Sequence, residues 1–87
     1  VYEKKLQFKQ DIDVRGMRAA EALEAVQDFV DDALMLGVGS VSILHGKGTG
    51  ALRNAVHDIL RRNKNVKSFR LGVYGEGENG VTVVTMK

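Results

Sequence analysis

The sequence predicts an α/β fold of order β-α-β-α-β-β, a mixed sheet with both helices packed on one face. Three observations predict it. Apolar residues recur at helical spacing in two stretches, and between and after them lie short runs of alternating or β-branched residues. At 87 residues, 44% of them hydrophobic, the chain suits one small domain whose core is buried by a single layer of helices on a sheet.

Each element has its own signal. Leu6, Phe8, Ile12 and Val14 share one parity with polar residues between them, so residues 1–10 read as an extension and 11–15 as a half-buried strand that Gly16 ends. From Arg18 to Leu36, the positions Ala19, Leu23, Val26, Val30, Ala33 and Leu34 mark an amphipathic helix, with Gly37 as its left-handed cap. Val41 to Leu44 is a short buried strand. Leu52, Val56, Ile59 and Leu60 mark a second helix that stops near Asn63. Val66 to Val73 alternates, with Phe69, Leu71 and Val73 on one side, and the β-branched run Val81 to Met86 is the last strand. GEGENG, Gly75 to Gly80, is the turn between these two. The right-handed crossover rule makes the first two strands parallel. The domain proper is 11–87.

Composition narrows the classes of function. Without cysteine, disulfides and thiolate metal sites are excluded. No apolar run approaches the roughly 18 residues of a membrane span, and VYEKKLQFKQ lacks a signal-peptide apolar stretch. The chain starts at Val1, so it reads as part of something longer, with the cytoplasm as the default location. The net charge of +2 is divided unevenly. From Asp11 to Asp32, the acids Asp11, Asp13, Glu21, Glu24, Asp28, Asp31 and Asp32 outnumber Arg15 and Arg18. From His45 to Arg70, the bases Lys47, Arg53, Arg61, Arg62, Lys64, Lys67 and Arg70 face Asp58 alone. The basic block predicts a polyanion partner.

A glycine-rich loop opens that block. His45-Gly46-Lys47-Gly48-Thr49-Gly50 runs from a strand into a helix. Glycines let the backbone turn successive N–H groups outward, and the helix N-terminus behind them adds unpaired donors. Lys47 adds a point charge and Arg53 a fork. A Walker loop is excluded because the spacing before Lys and Ser/Thr is wrong. GEGENG matches a dinucleotide fingerprint by letter only: it runs into a strand instead of a helix, and Glu76 and Glu78 would repel phosphate. If the first two strands are neighbours, Asp13 and Arg15 meet this loop at the carboxyl edge of the sheet, with Ile12 and Val14 turned to the helices. The expected site is therefore Asp13, Arg15 and His45 for chemistry, with Gly46, Lys47, Gly48, Thr49, Gly50 and Arg53 holding phosphate. Tyr2, Phe8, Phe29, Phe69 and Tyr74 are the aromatics, and Phe29 and Phe69 read as core, so base stacking is expected to be minor.

The pair Ile12-Asp13-Val14-Arg15-Gly16 and His45-Gly46-Lys47-Gly48 resembles the two signature motifs of the Smr (small MutS-related) domain, over about Asp11 to Lys87. HGKGTGALR and GEGENGVTVV are most similar to the version at the C-terminus of a bacterial MutS paralogue outside mismatch repair. The resemblance implies a two-layer fold similar to the C-terminal domain of translation initiation factor three. It also implies nicking of branched or duplex DNA, linked to suppression of homologous recombination. In some members it implies RNA cleavage or engagement of stalled ribosomes. ATP and a homodimer are implied only for a full-length MutS relative.

Many stand-alone members have histidine where this chain has Arg15, which stays protonated and cannot serve as a base. The expected chemistry is phosphodiester cleavage with Arg15, Lys47 and the loop amides holding developing charge, and Asp13 or His45 moving the proton. One aspartate, with Asp11 or Glu76 unplaced, is too few carboxylates for a tightly held metal pair. A loosely held Mg²⁺ or Mn²⁺ arriving with substrate stays open. The alternative expectation is a module that binds nucleic acid or ribosome without cutting.

Overall fold

The computed structural model describes residues 8–75 and 78–87. Leu6, Tyr2 and Glu76, named above, lie outside the described residues, as does part of the GEGENG turn. The order is β1 (Asp11–Asp13), α1 (Ala19–Met35), β2 (Ser40–Leu44), α2 (Ala51–Arg62), β3 (Val66–Leu71), a 3-10 turn (Glu78–Gly80) and β4 (Val81–Met86). The four strands form one mixed sheet of order β1-β2-β4-β3. β1 and β2 are parallel, with Asp13 opposite Leu44, and the remaining pairs are antiparallel. The expected β-α-β-α-β-β architecture is the observed one.

The core lies between the sheet and the two helices. Val14, Val41, Ile43 and Val84 of the sheet side meet Ala22, Val26, Val30 and Ala33 of α1 and Val56 and Leu60 of α2 in one cluster. Phe8 stacks on Phe29 with ring centroids 5.2 Å apart, and Phe29 and Phe69 pack on the core as expected. The opposite sheet face is more polar: Asp11, Asp13, Ser40, Ser68, Arg70 and Thr85 are exposed.

Three boundaries differ from expectation, each for a local reason. β1 ends at Asp13, two residues early. The Asp13 carboxylate accepts the Arg15 backbone N–H at 3.0 Å, and this side-chain turn bends the chain out of the strand. Val14 still donates to the Leu44 carbonyl at 2.9 Å, so the pairing outlasts the strand by one bond. In α1 the buried stripe is Ala22, Val26, Val30 and Ala33, while Ala19 is exposed and Leu34 is 37% exposed. The helix sits on this stripe of small alanine and valine side chains, and the larger Leu34 falls outside it. β3 ends at Leu71 and leaves Val73 exposed. The Gly72 N–H bonds the carbonyls of Glu78 and Val81, which closes the hairpin there. A register shift between Val66 and Ser68 lets Val66 and Phe69, of opposite parity, both pack on the core.

The end of α1 follows the glycine signal. Gly37 has φ 73°, and its N–H bonds Leu34 O while the Val38 N–H bonds Ala33 O. These two bonds are the 5→2 and 6→1 pair that closes a helix through a left-handed residue. The start of α1 has no side-chain cap, consistent with Arg18 at that position.

Truncation should separate core from rim. Ile43→Ala, at a fully buried position, is expected to cost about 2–5 kcal/mol in urea unfolding. Leu34→Ala is expected to cost about 1 kcal/mol or less.

Candidate functional site

The parallel pairing of β1 with β2 brings the tips of both strands together. Just beyond them, Arg15 lays its stem along Gly46: a Cβ built on Gly46 would lie 3.4 Å from Arg15 Cγ. Gly46 has φ 81°, so a side chain there would strain the backbone as well as crowd Arg15. Arg15, Leu44, Gly46, Lys47, Gly80 and Val81 line a cleft of about 280 Å³ on the sheet face away from the helices. A second hollow of about 210 Å³ lies along His45 to Arg53, at the start of α2.

Asp13 holds Arg15 by both ends of its fork. Arg15 Nε donates to Oδ1 at 2.8 Å and an Nη donates to Oδ2 at 2.6 Å. These bonds, and then the backbone N–H of Arg15, lower the Asp13 pKa to about 2, and the same contact raises that of Arg15. Asp13 is therefore ionised at neutral pH and a weak base. Its geometry orients the guanidinium.

The loop presents donors. The His45 and Gly46 N–H groups both bond the Gly80 carbonyl at 3.0 Å, anchoring the loop to the start of β4. Among the described residues, the backbone N–H groups of Lys47, Gly48, Thr49 and Gly50 have no protein acceptor. Gly46, Gly48 and Gly50 all have positive φ, the alternation that lets consecutive amides converge on an anion. Thr49 Oγ1 accepts the Ala51 N–H at 3.3 Å. Lys47 Nζ pairs with Glu78 Oε2 at 3.0 Å, so Glu78, read from sequence as repelling phosphate, engages the lysine of the loop. The Arg53 guanidinium folds over Gly50.

His45 takes the other side. Strand register puts Asp13, Leu44 and Val81 on the open face, whereas His45 follows Val41 and Ile43 toward the helices. It is 5% exposed, and both ring nitrogens are engaged: Nδ1 with Gly46 O at 3.0 Å and Nε2 with Thr82 Oγ1 at 2.7 Å. Thus Asp13, Arg15, Gly46 and Lys47 come together, His45 lies beneath the loop, and Arg53 lines the second hollow.

Sequence reasoning missed Thr82, His57, Gly80 and Glu78 as neighbours of the loop. His57 Nε2 lies 2.6 Å from Thr82 Oγ1, the hydroxyl that His45 also engages. A histidine between Val56 and Leu60 on the inner side of a helix is a visible signal. Nothing in VTVVTM singles out Thr82, whose position depends on its pairing with Ile43. Among the described residues no group of three or more His, Asp or Glu is placed to hold a metal ion, and no helix is long and apolar enough to cross a membrane.

Burial, followed by the charges of His45, Arg61 and Arg53, lowers the His57 pKa. The folded chain therefore favours neutral His57 more than the unfolded chain does. Its contribution is intact above about pH 6.5 and is lost as the pH falls from there through the lowered value. Urea titrations at pH 7.5, 6.5 and 5.5 should show falling stability, with a shallower decline in His57→Gln.

Comparison with known proteins identifies the family and agrees with the fold. Residues 12–87 match the Smr domain family. The chain is 56% identical over 77 residues to endonuclease MutS2 of Ruminiclostridium cellulolyticum, covering 88% of this chain and 10% of that protein. It is 51% identical over 80 residues to endonuclease MutS2 of Brevibacillus brevis, again spanning a tenth of the relative's length and 92% of this chain. The crystal structure of the Smr domain of Thermus thermophilus MutS2 superposes with a TM-score of 0.88 at 47% identity, covering 91% of this chain and 99% of that one. YdaL, a stand-alone small MutS-related protein from Escherichia coli, shares the fold at 23% identity, with a TM-score of 0.78, all of this chain and 74% of that one covered. The chain belongs to the Smr domain family and is closely related to the Smr domain of MutS2 endonucleases.

Proposed function

We propose that this domain grips the sugar-phosphate backbone of branched or duplex DNA and nicks it by phosphodiester cleavage. One observation carries the reading: where the tips of β1 and β2 meet, a forked arginine and a lysine flank a loop whose Lys47 to Gly50 amides have no acceptor among the described residues. Arg15, oriented by Asp13, and Lys47 supply positive charge where a phosphate gains negative charge, and the Gly48, Thr49 and Gly50 amides add oriented dipoles. Arg53 extends the grip toward α2. Proton transfer falls to His45, whose Nδ1 abuts the loop at Gly46. It requires the bound phosphate to take the place of the Gly46 carbonyl. The names of the 56% and 51% identical relatives, both endonucleases, support the same class of reaction.

A divalent ion, where the reaction uses Mg²⁺ or Mn²⁺, arrives with the substrate phosphates, because the carboxylate of Asp13 is already engaged by Arg15. The second reading is a nucleic-acid or ribosome-binding module that does not cut. It is favoured by one observation: both nitrogens of His45 and both oxygens of Asp13 already have protein partners.

Supercoiled plasmid and a four-way junction, incubated with and without chelator, separate the two. Nicking by the parent and a loss of about a hundredfold in His45→Ala support chemistry at this site. Salt-dependent binding with no strand break under any condition supports the binding module. In either case Arg15→Ala and Lys47→Ala should weaken DNA binding and each reduce the slope of log K against log salt by about one.

A further inference from the structure

Thr82 is completely buried and lies between two imidazoles, 2.7 Å from His45 Nε2 and 2.6 Å from His57 Nε2. The protons of this group can be placed by elimination. The Gly46 carbonyl only accepts, so His45 Nδ1, 3.0 Å away, carries a proton. Nε2 of neutral His45 is then bare and accepts the Thr82 hydroxyl. Thr82 has no second proton to give, so His57 Nε2 must donate to its oxygen. The chain of donors therefore runs one way, from His57 through Thr82 and His45 to the loop carbonyl.

His57 is built into this arrangement from several sides. Its ring meets that of Phe69 on β3, with centroids 4.8 Å apart, and lies edge-on to that of His45, just beyond β2, at 5.9 Å. Arg53 and Arg61 of its own helix, and His45, are the charged or titratable groups acting on it, and Thr82 contacts it from β4. Burial, followed by these neighbouring charges, disfavours its protonated form.

We propose that His57 is a positioning residue: through Thr82 it holds His45 in the Nδ1–H tautomer and so aims that proton at the phosphate-holding loop. The functional consequence rests on the phosphate reading above; the proton arrangement does not. With a donor at position 57, Thr82 must give its proton to His45. Without one, Thr82 is free to accept from His45, and only the Gly46 carbonyl still favours the Nδ1–H form, so an Nε2–H population becomes accessible. In that population the proton is turned away from the loop.

Long-range ¹H–¹⁵N spectra of the whole chain at pH 7.5 read the tautomers directly. The expected result is His45 as the Nδ1–H form and His57 as the Nε2–H form. His45 in the Nε2–H form, or His57 in the Nδ1–H form, would overturn the proposal. Two variants then test the consequence: His57→Gln retains an N–H donor, and His57→Leu does not. The Leu variant should show an Nε2–H population at His45 and a nicking rate about fivefold lower, the worth of one neutral hydrogen bond, with the Gln variant close to the parent. Equal spectra and equal rates in the two variants would sink the idea. Should the parent cut no DNA, the nuclease reading fails alone, and the tautomers of parent and Leu variant still decide the positioning role.

Discussion

The parallel register of β1 on β2 is the constraint on which the rest depends. Asp13 lies opposite Leu44, and the Val14 N–H continues the ladder to the Leu44 carbonyl. A slip of one residue would exchange the two faces of β1, turning Asp13 into the core and Val14 outward. The buried Val14 and half-buried Ile12 make that slip costly. Burial of two aliphatic residues thus determines where an exposed ion pair stands, and the ion pair in turn sets where Arg15 meets Gly46. The Gly80 carbonyl completes the alignment from the other side by accepting two consecutive amides of the same loop.

Much of this was legible in the residues. Alternation in DIDVRG and the β-branched run near the C-terminus gave the strands, and glycines marked the ends of α1 and of the loop. The parity of Asp13 and Arg15 placed them on the exposed side. What escaped was long-range. The stripe buried on α1 is Ala22, Val26, Val30 and Ala33, and periodicity alone does not reveal that Ala19 and Leu34 fall outside it. The order β1-β2-β4-β3 puts β4 beside β2, and only that neighbour relation brings Thr82 to His45 and Glu78 to Lys47. His45 was expected beside Asp13 because both end adjacent strands, but strand pleating sends the two side chains to opposite faces.

Charge is segregated along with the elements. The exposed acids of α1, Glu21, Glu24, Asp28 and Asp31, lie on the helix between β1 and β2, whereas Arg61, Arg62, Lys64, Lys67 and Arg70 follow on α2, β3 and the turn between them. A polyanion approaching this surface meets repulsion on one flank and attraction on the other. Surface charge of this kind directs encounter and orientation; tight contact depends on the loop.

On the proposed phosphate reading, the Lys47–Glu78 ion pair gives the loop an internal rival for its ligand. An incoming anion would have to outcompete a tethered carboxylate held at high local concentration. A single weakly held anion would gain little from that exchange. A backbone that also engages Arg15 and several amides would recover the loss elsewhere, so the tethered carboxylate would favour multidentate ligands over simple ones.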